Sequence, residues 1–131
     1  LAGNAVRFGA VADTLVIGEG LETVLSLRTA FPALPLAAAL SAQHLRAFRI
    51  PRTAKRLIIA VDRDEAGLSA AIALQRRAQA EGVEAKLLVP RRKDFNDDLR
   101  ADGPVVIAAM VRAQVVDNDR AAIDPHRTRS P

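Results

Sequence analysis

Short, continuous apolar runs alternate along the chain with stretches in which apolar residues recur at helical spacing. Apolar runs predict strands at residues 15–18, 36–40 and 56–62, and the last of these has the hydrophobicity of a strand buried on both faces of a sheet. Residues 83–89 are predicted to form the next strand. The helical stretches cover residues 22–31, 41–50, 65–81 and 105–115. This alternation predicts right-handed parallel crossovers, and therefore an α/β fold in which a mostly parallel four-stranded sheet carries helices on both faces.

Local residues set the ends of the helices. Pro32 stops the first helix, and Ser41 has the short polar side chain of an N-cap for the second. The second helix should end at Ile50, because Pro51 disfavours helical geometry in the residue before it, and Gly82 should end the third. Four residues of the third helix are expected to face the core: Leu68, Ile72, Leu74 and Ala78.

One folded domain is expected, over residues 14–116. A chain of 131 residues, half of them hydrophobic, is long enough to bury one core. The chain opens on Leu rather than Met, so residues 1–13 are expected to lead in from a preceding domain of a longer polypeptide. From Asp117 onward the composition is polar, charged and proline-containing, which predicts a disordered tail over residues 117–131.

The composition limits the chemistry. Without cysteine, neither a disulfide framework nor a zinc ribbon can be built. His44 and His126 have no partner at ligand spacing, so oxygen ligands, and with them Mg²⁺, Mn²⁺ or Ca²⁺, are favoured. The formal charge of +4 and the pI of about 10.6 favour a polyanionic partner. No apolar run reaches the ~18 residues that cross a bilayer, so we expect a soluble, cytoplasmic protein without a membrane partner.

Three carboxylates lie at the carboxyl ends of two predicted strands. Glu19 follows the first strand, Asp62 ends the third, and Asp64 comes two residues later. Ligands of doubly wound sheets bind at the carboxyl ends of the strands, so the three side chains are expected to converge there. Crowded carboxylates repel one another, and a divalent cation neutralises them at neutral pH. Because Mg²⁺ completes its coordination with substrate phosphates, the pattern predicts phosphoryl or nucleotidyl transfer.

Each of these signals also has a plainer interpretation. An Asp-x-Asp after a strand is often a solvated turn in which one aspartate caps the next helix. The polar segment 94–97 could be an N-cap cluster for the last helix, and the basic run 91–93 could be a solvated loop. The combination of the motifs, rather than any single one, favours the metal site.

In order and spacing, the motifs resemble those of Toprim domains, most closely the Toprim module of plasmid- and phage-type primases and primase-helicases. The resemblance rests on an apolar strand that ends in Glu19-Gly20, and on a later strand that ends in Asp62-Arg63-Asp64 and is followed by Gly67. The other matching segments are the helix with Glu22-Thr23 and Lys-Asp-Phe-Asn-Asp at residues 93–97. The match covers residues 14–100 and implies a Toprim (Rossmann-like) three-layer fold.

The resemblance also implies roles for individual residues. Glu19, Asp62 and Asp64 would be catalytic and would bind Mg²⁺ (or Mn²⁺), with Glu19 serving in addition as general base or acid. Asp94 would contribute to metal binding from the edge of the same site. The residues implied to bind nucleotide or phosphate are Arg63, Arg91, Arg92, Lys93, Asn96 and Asp97.

The implied activity is the synthesis of primers from nucleoside triphosphates on a single-stranded DNA template. The chain would be part of a larger enzyme, and its partners would be the other domains of that polypeptide, with a helicase as one candidate. A Toprim-type nuclease remains open, since the same acids can activate water. A non-catalytic docking module of a replication or conjugation protein also remains open. Because it has no Tyr, this chain cannot cleave and rejoin DNA through tyrosine unaided. A receiver domain is disfavoured because Lys86, the only candidate for its lysine, lies too near the start of its strand. An Asp-x-Asp phosphatase is disfavoured because its nucleophile motif should occur at the first strand, whereas here two strands precede it.

Overall fold

The computed structural model describes residues 5–8 and 13–123. These residues contain five strands and four helices. The strands are β1 (Val6–Phe8), β2 (Thr14–Gly18), β3 (Leu36–Ala38), β4 (Arg56–Ala60) and β5 (Glu84–Leu88). The helices are α1 (Leu21–Ala30), α2 (Ala42–Arg46), α3 (Glu65–Ala80) and α4 (Phe95–Ile123). None of these helices combines the length and apolarity needed to span a membrane.

The strands form one sheet in the order β1-β3-β2-β4-β5. The pairs β3-β2, β2-β4 and β4-β5 are parallel, so the predicted parallel sheet of four strands is confirmed. Strand β1 adds a fifth, antiparallel strand at the edge, with Val6 opposite Ala38 and Phe8 opposite Leu36. Part of the segment predicted to be only a lead-in therefore belongs to the sheet itself.

The order of the strands creates a switch point between β2 and β4. After β2 the chain crosses to β3 on one side of the sheet, and it then returns to β4 on the other side of β2. The connections consequently leave a crevice at the carboxyl ends of these two central strands, which is where doubly wound folds bind ligands. The acidic residues follow these two strands.

Alternate residues of the central strands enter two separate hydrophobic cores. Leu15, Ile17 and Ile59 pack on the face covered by α2 and α3, together with the fully buried Phe48. Val16 and Ile58 point to the opposite face, where α1 and α4 cover them. The helices lie on both faces of the sheet, as the sequence predicts.

Helix α3 packs through small residues, which changes its predicted orientation. Its buried side consists of Gly67, Ala70, Ala71, Leu74 and Ala78. Leu74 and Ala78 were predicted correctly, but Leu68 is 44% exposed and Ile72 is only partly buried. Alanine and glycine let the helix approach the sheet closely, so the core side is set by the small residues rather than by the larger apolar ones.

The last helix begins ten residues earlier than predicted. Residues 95–98, expected in a loop, form the first turn of α4, and the side chain of Phe95 is fully buried. Gly103 then interrupts the helix with φ of 85°, a left-handed conformation that glycine adopts without strain, and Pro104 starts the second part. The helix continues to Ile123 and so extends into the segment predicted to be a tail, whose residues 124–131 lie outside the described part. Helix α2 ends at Arg46, four residues before the predicted Ile50.

The orientation of α3 can be tested by a matched pair of substitutions. Leu74→Ala should lower the free energy of unfolding by about 2–5 kcal/mol, because it leaves a cavity in a fully buried site. Leu68→Ala removes the same atoms from an exposed site and should change stability by no more than about 0.5 kcal/mol. Urea denaturation followed by circular dichroism measures both, and equal losses would contradict the described orientation.

Candidate metal centre

Glu19, Asp62 and Asp64 come together at the switch point. Strands β2 and β4 pair in register, with Gly18 opposite Ala60, so the residues that follow them emerge side by side. One potential ligand atom from each of the three acids lies within 4.8 Å of the others. The predicted convergence of the three side chains is therefore observed.

A turn, rather than a continued strand, brings the two aspartates together. The backbone N–H of Asp64 donates to the carbonyl of Asp62 at 2.8 Å, and Asp64 is the N-cap of α3. Its Oδ1 accepts a hydrogen bond from the N–H of Gly67 at 2.6 Å. Asp64 therefore caps α3, as the plainer interpretation has it, and it also belongs to the carboxylate cluster, because its second oxygen remains available to a ligand.

Thr23 orients Asp62. The hydroxyl group of Thr23, on the buried side of α1, donates to Asp62 Oδ1 at 3.0 Å across the crevice. In the sequence Thr23 is part of a segment that resembles the family motifs, but it has no assigned role, since a threonine in a helix interior has no chemical signature of its own. Only the approach of α1 to the residues that follow β4 reveals it.

The site fits a cation on two independent observations. Glu19 Oε1 is buried and has no hydrogen-bond partner among the described residues. A buried carboxylate oxygen without a partner is costly unless a proton or a cation meets it. Gly67 keeps this space open, because a Cβ there would lie 3.0 Å from Asp64 Oδ1 and 3.1 Å from Glu19 Oε1. Hard carboxylate oxygens are the donor set that Mg²⁺ and Mn²⁺ prefer.

Crowding perturbs the titration of two of the acids. Burial raises the pKa of Glu19 above its ordinary value, and the charges of Asp62 and Asp64 raise it further. Burial also raises the pKa of Asp62, and the charges of Asp94 and Asp64 act in the same direction. The hydrogen bond from Thr23 and the charge of Lys93 oppose this rise in the pKa of Asp62. The ionised cluster is therefore held at an energetic cost that a bound cation would remove.

A strained backbone residue borders Glu19. Leu40, just after β3, has φ of 79°, the only left-handed non-glycine residue in the described chain. Its N–H donates to the carbonyl of Glu19 at 2.6 Å. Such a conformation costs about 1 kcal/mol or more, and here it fixes the backbone of a carboxylate that belongs to the site.

The loop between β5 and α4 is tied to the Asp-x-Asp turn through Arg63. The N–H of Arg63 donates to the carbonyl of Lys93 at 2.7 Å, and its Nε donates to the carbonyl of Pro90 at 2.8 Å. These bonds bring Lys93 and Asp94 to the edge of the cluster, where both charges act on Asp62. The side chain of Lys93 is exposed and makes no hydrogen bond within residues 13–114.

The two arginines before Lys93 differ in their surroundings. Arg92 donates through Nη1 to Asp98 Oδ1 at 3.2 Å and to Asp102 Oδ2 at 2.8 Å, so its guanidinium is engaged within the protein. Arg91 lies 3.7 Å from Asp102 and is largely exposed. The carboxylate of Asp98, which is fully buried, also accepts the backbone N–H groups of Arg91 and Arg92 at 2.7 and 2.9 Å. Asp98 therefore anchors the first two residues of the basic run.

The remaining predicted residues lie at the start of α4. Asp94 Oδ1 accepts the N–H of Asp97 at 2.8 Å and caps the helix, as the plainer interpretation has it. Asn96 donates to Glu22 Oε2 at 3.2 Å and accepts from Ser26 Oγ at 3.3 Å, which joins α4 to α1. These residues border the site but do not enter the carboxylate cluster.

An apolar cavity of about 260 Å³ lies elsewhere, beside the first residues of the central strands. Val16, Leu36, Ile58 and Phe31 form part of its walls. The described residues that line it include no carboxylate or imidazole, so the cavity offers no chemistry to compare with the acidic cluster.

Removing one charge from the cluster should stabilise the metal-free protein at neutral pH. Because the pKa of Asp62 is raised in the folded state, folding is favoured below the ordinary aspartate pKa of about 3.9, and this advantage is lost as the pH rises through the folded-state value. Asp62→Asn should accordingly raise Tm in EDTA at pH 7 by a few degrees, and the difference from wild type should vanish at acidic pH. Excess Mg²⁺ should raise the Tm of wild type and leave the variant unchanged. Scanning calorimetry from pH 3 to 8 measures this, and a variant that is less stable in EDTA at pH 7 would contradict it.

Loss of the Asp98 carboxylate should unfold the basic loop. Asp98→Ala leaves two backbone N–H groups and a guanidinium without their acceptor, so the free energy of unfolding should fall by about 2–4 kcal/mol. Asp97→Ala removes the neighbouring carboxylate, which has only a favourable position in the first helical turn, and should cost about 1 kcal/mol or less. Chemical denaturation of the two variants gives the comparison, and similar losses would exclude the anchoring role of Asp98.

Several solved structures have the same fold. A DNA primase domain from Pseudomonas aeruginosa is 22% identical over 86% of this chain and 39% of its own, with a TM-score of 0.55. The primase fragment of the bacteriophage T7 primase-helicase is 20% identical over 82% of this chain and 45% of its own, with a TM-score of 0.54. The catalytic domain of DnaG primase, solved bound to single-stranded DNA, is 20% identical over 86% and 39% of the two chains, with a TM-score of 0.50.

The chain thus spans about two fifths of the length of these primase structures, and at such identities the likeness concerns the fold. No curated protein matches the chain in sequence. The family model described as the Toprim domain matches residues 14–105, a range that contains both central strands, all three clustered acids and the loop that carries Asp94. With that match over most of its length, the chain belongs to the Toprim domain family.

Proposed function

We propose that this chain is the catalytic module of a DNA primase-type enzyme, which joins nucleoside triphosphates on a single-stranded DNA template with the help of Mg²⁺ or Mn²⁺. The observation that carries the proposal is the cluster of Glu19, Asp62 and Asp64, in which one buried oxygen has no partner among the described residues. Family membership and the primase folds support it, as does the single-stranded DNA bound to one of those primases.

Three carboxylates would hold the ion. Glu19 offers Oε1, and Asp62 and Asp64 each offer the oxygen that their hydrogen bonds to Thr23 and Gly67 leave free. When bound, a divalent cation neutralises phosphate charge and polarises the phosphorus centre of a nucleotide, and it lowers the pKa of a hydroxyl nucleophile. Asp94, at the edge of the cluster, would extend the acidic surface toward a second ion.

Glu19 is also suited to proton transfer. In the metal-free protein its pKa is raised by burial and by its acidic neighbours. Oε1 has no donor to compete for its lone pairs within the described residues. In the proposed reaction Glu19 would accept the proton of the attacking 3′-hydroxyl group, directly or through water.

Phosphate binding would fall mainly to Lys93. Its side chain is exposed, its charge acts on Asp62, and it makes no hydrogen bond within the described residues 13–114. Arg91 is similarly exposed and would add a longer-range contact. Arg63 and Arg92 are used within the protein to hold the loop, so they would act by positioning Lys93, and their own contacts with phosphate would be secondary.

Asn96 and Asp97 would take part at the nucleotide side of the site. Asn96 is fixed between Glu22 and Ser26, an arrangement that holds its amide still beside the crevice. The carboxylate of Asp97 has no hydrogen bond of its own in the described chain and lies in the first turn of α4. Both would contact the incoming nucleotide rather than the ion.

Isosteric variants test the proposal. Glu19→Gln, Asp62→Asn and Asp64→Asn should each reduce template-dependent incorporation of labelled nucleotides by about 100-fold or more, because each removes a charged ligand. Asn is as good an N-cap as Asp, so Asp64→Asn should keep α3 intact. Asp13→Asn, an exposed acid at the opposite end of β2, changes the net charge equally and should keep full activity.

The same variants separate the alternatives. Mn²⁺ titration of ¹⁵N-labelled protein should broaden backbone amides around Glu19, Asp62 and Asp64, and Asp62→Asn should abolish this broadening even if the isolated chain needs further domains for synthesis. Metal-dependent loss of labelled DNA without synthesis would replace the proposal with a nuclease. Absence of broadening at the cluster would overturn the catalytic proposal in favour of a docking module.

A further inference from the structure

An open groove of about 400 Å³ lies between α2 and α3, on the face of the sheet away from α1 and α4. It starts at Glu65, the residue that directly follows the clustered Asp64, and continues past Leu68, Ile72 and Arg76. These positions follow helical spacing along the outer side of α3, and Arg76 lies eleven residues after the start of the helix, a rise of about 16 Å. The groove therefore leads away from the carboxylate cluster along one helix.

Two arginines line this groove. Arg46 lies on α2, where its Nη2 donates to Ser69 Oγ at 2.9 Å, and Arg76 lies on α3, toward the end of the groove away from Glu65. Arg76 is exposed and makes no hydrogen bond or ion pair among residues 13–114. Glu65 is the single acid among the described lining residues, and it lies at the end nearest the cluster.

The segment that leaves α2 adds further positive charge. Between Ala42 and Lys55 the chain contains no acidic residue. Its cationic side chains recur at every third position and are all exposed: Arg46, Arg49, Arg52 and Lys55. This side of the molecule consequently attracts polyanions, while the acids of the protein concentrate at the cluster and at the start of α4.

Apolar side chains form part of the groove between the arginines. Leu68 is 44% exposed there, and Ile72 is partly buried beside it. Apolar surface beside cations suits a ligand that has both phosphates and unpaired bases or sugars. A duplex would present its phosphates but keep its bases stacked inside, so a single strand matches the groove better.

We propose that the α2–α3 groove binds the backbone of the single-stranded nucleic acid that runs to the carboxylate cluster, with Arg46 and Arg76 on its phosphates and Leu68 and Ile72 against its bases or sugars. The inference rests on the proposed function for the identity of the ligand. It adds a binding surface outside the metal site, and binding there requires no catalysis.

Fluorescence anisotropy in EDTA tests the groove without the metal. The probe is a fluorescein-labelled single-stranded oligodeoxynucleotide of mixed sequence, titrated with wild type, with Arg46→Gln/Arg76→Gln and with Arg100→Gln/Arg112→Gln. The last variant is the matched control, because it removes the same charge from exposed positions on α4, across the sheet. The groove variant should bind about tenfold more weakly than the control at low salt, and its slope of log K against log salt should be shallower than wild type by about 1.4, the value for two lost phosphate contacts.

Two further measurements separate charge contacts from local stability. Ser69→Ala breaks the hydrogen bond of Arg46 but keeps its charge, so it should retain the affinity of wild type. Thermal melts identify any loss of folded protein, and Leu68→Gln, at an exposed position, should weaken binding without changing the salt slope. Equal affinity and equal slope for the groove variant and the α4 control would overturn the proposal, as would equally good competition by a duplex of the same sequence.

The design also distinguishes this inference from the proposed function. Asp62→Asn should bind the single strand in EDTA at least as tightly as wild type, since it removes a negative charge from the end of the groove. If nucleotide incorporation fails but the groove variant still loses affinity, the groove stands and the activity falls. If incorporation depends on the cluster but the groove variant binds normally, the activity stands and the groove falls.

Discussion

Mutual repulsion among three carboxylates is the constraint on which the structure of this edge of the sheet depends. Parallel registration of β2 and β4 brings Glu19 and Asp62 together, and the helix cap at Asp64 adds a third charge within 4.8 Å. Neighbouring groups keep the acids in place despite the repulsion: a hydroxyl from α1, an N–H from α3 and the left-handed Leu40. A site that is organised before its counter-charge arrives binds the charge without the delay or cost of rearrangement.

The basic loop beside the cluster illustrates how internal ion pairs divide the labour among similar residues. Arg91, Arg92 and Lys93 carry the same charge. The buried carboxylate of Asp98, however, binds the guanidinium of Arg92 and the backbone N–H groups of Arg91 and Arg92 within the protein. The constraint leaves Lys93 at the surface next to Asp62. A charge run can therefore combine a structural part and a ligand-binding part, and only the location of the opposing acids tells them apart.

Residue patterns predicted the four parallel strands, their helices and the convergence of Glu19, Asp62 and Asp64, because uninterrupted apolar runs and acids at strand ends follow from the physics of parallel sheets. Other features depend on packing that no local pattern contains. Alanines decided which side of α3 is buried, so Leu68 faces solvent. Phe95 anchored a helix where polar residues had predicted a loop, and the roles of Thr23 and Asp98 arise from contacts across 39 and 6–7 residues of sequence.

Strand β1 means that the range matched by the family model and the range of residues that pair in the sheet do not coincide. The family match starts at residue 14, yet Val6–Phe8 pairs with the whole of β3 and occupies its outer edge. A polypeptide trimmed to the motif boundary would expose the N–H and carbonyl groups of Leu36–Ala38 along an open sheet edge, which is a template for intermolecular strand pairing. For this chain, the strand that pairs with the outer edge of β3 therefore lies before the first recognisable motif.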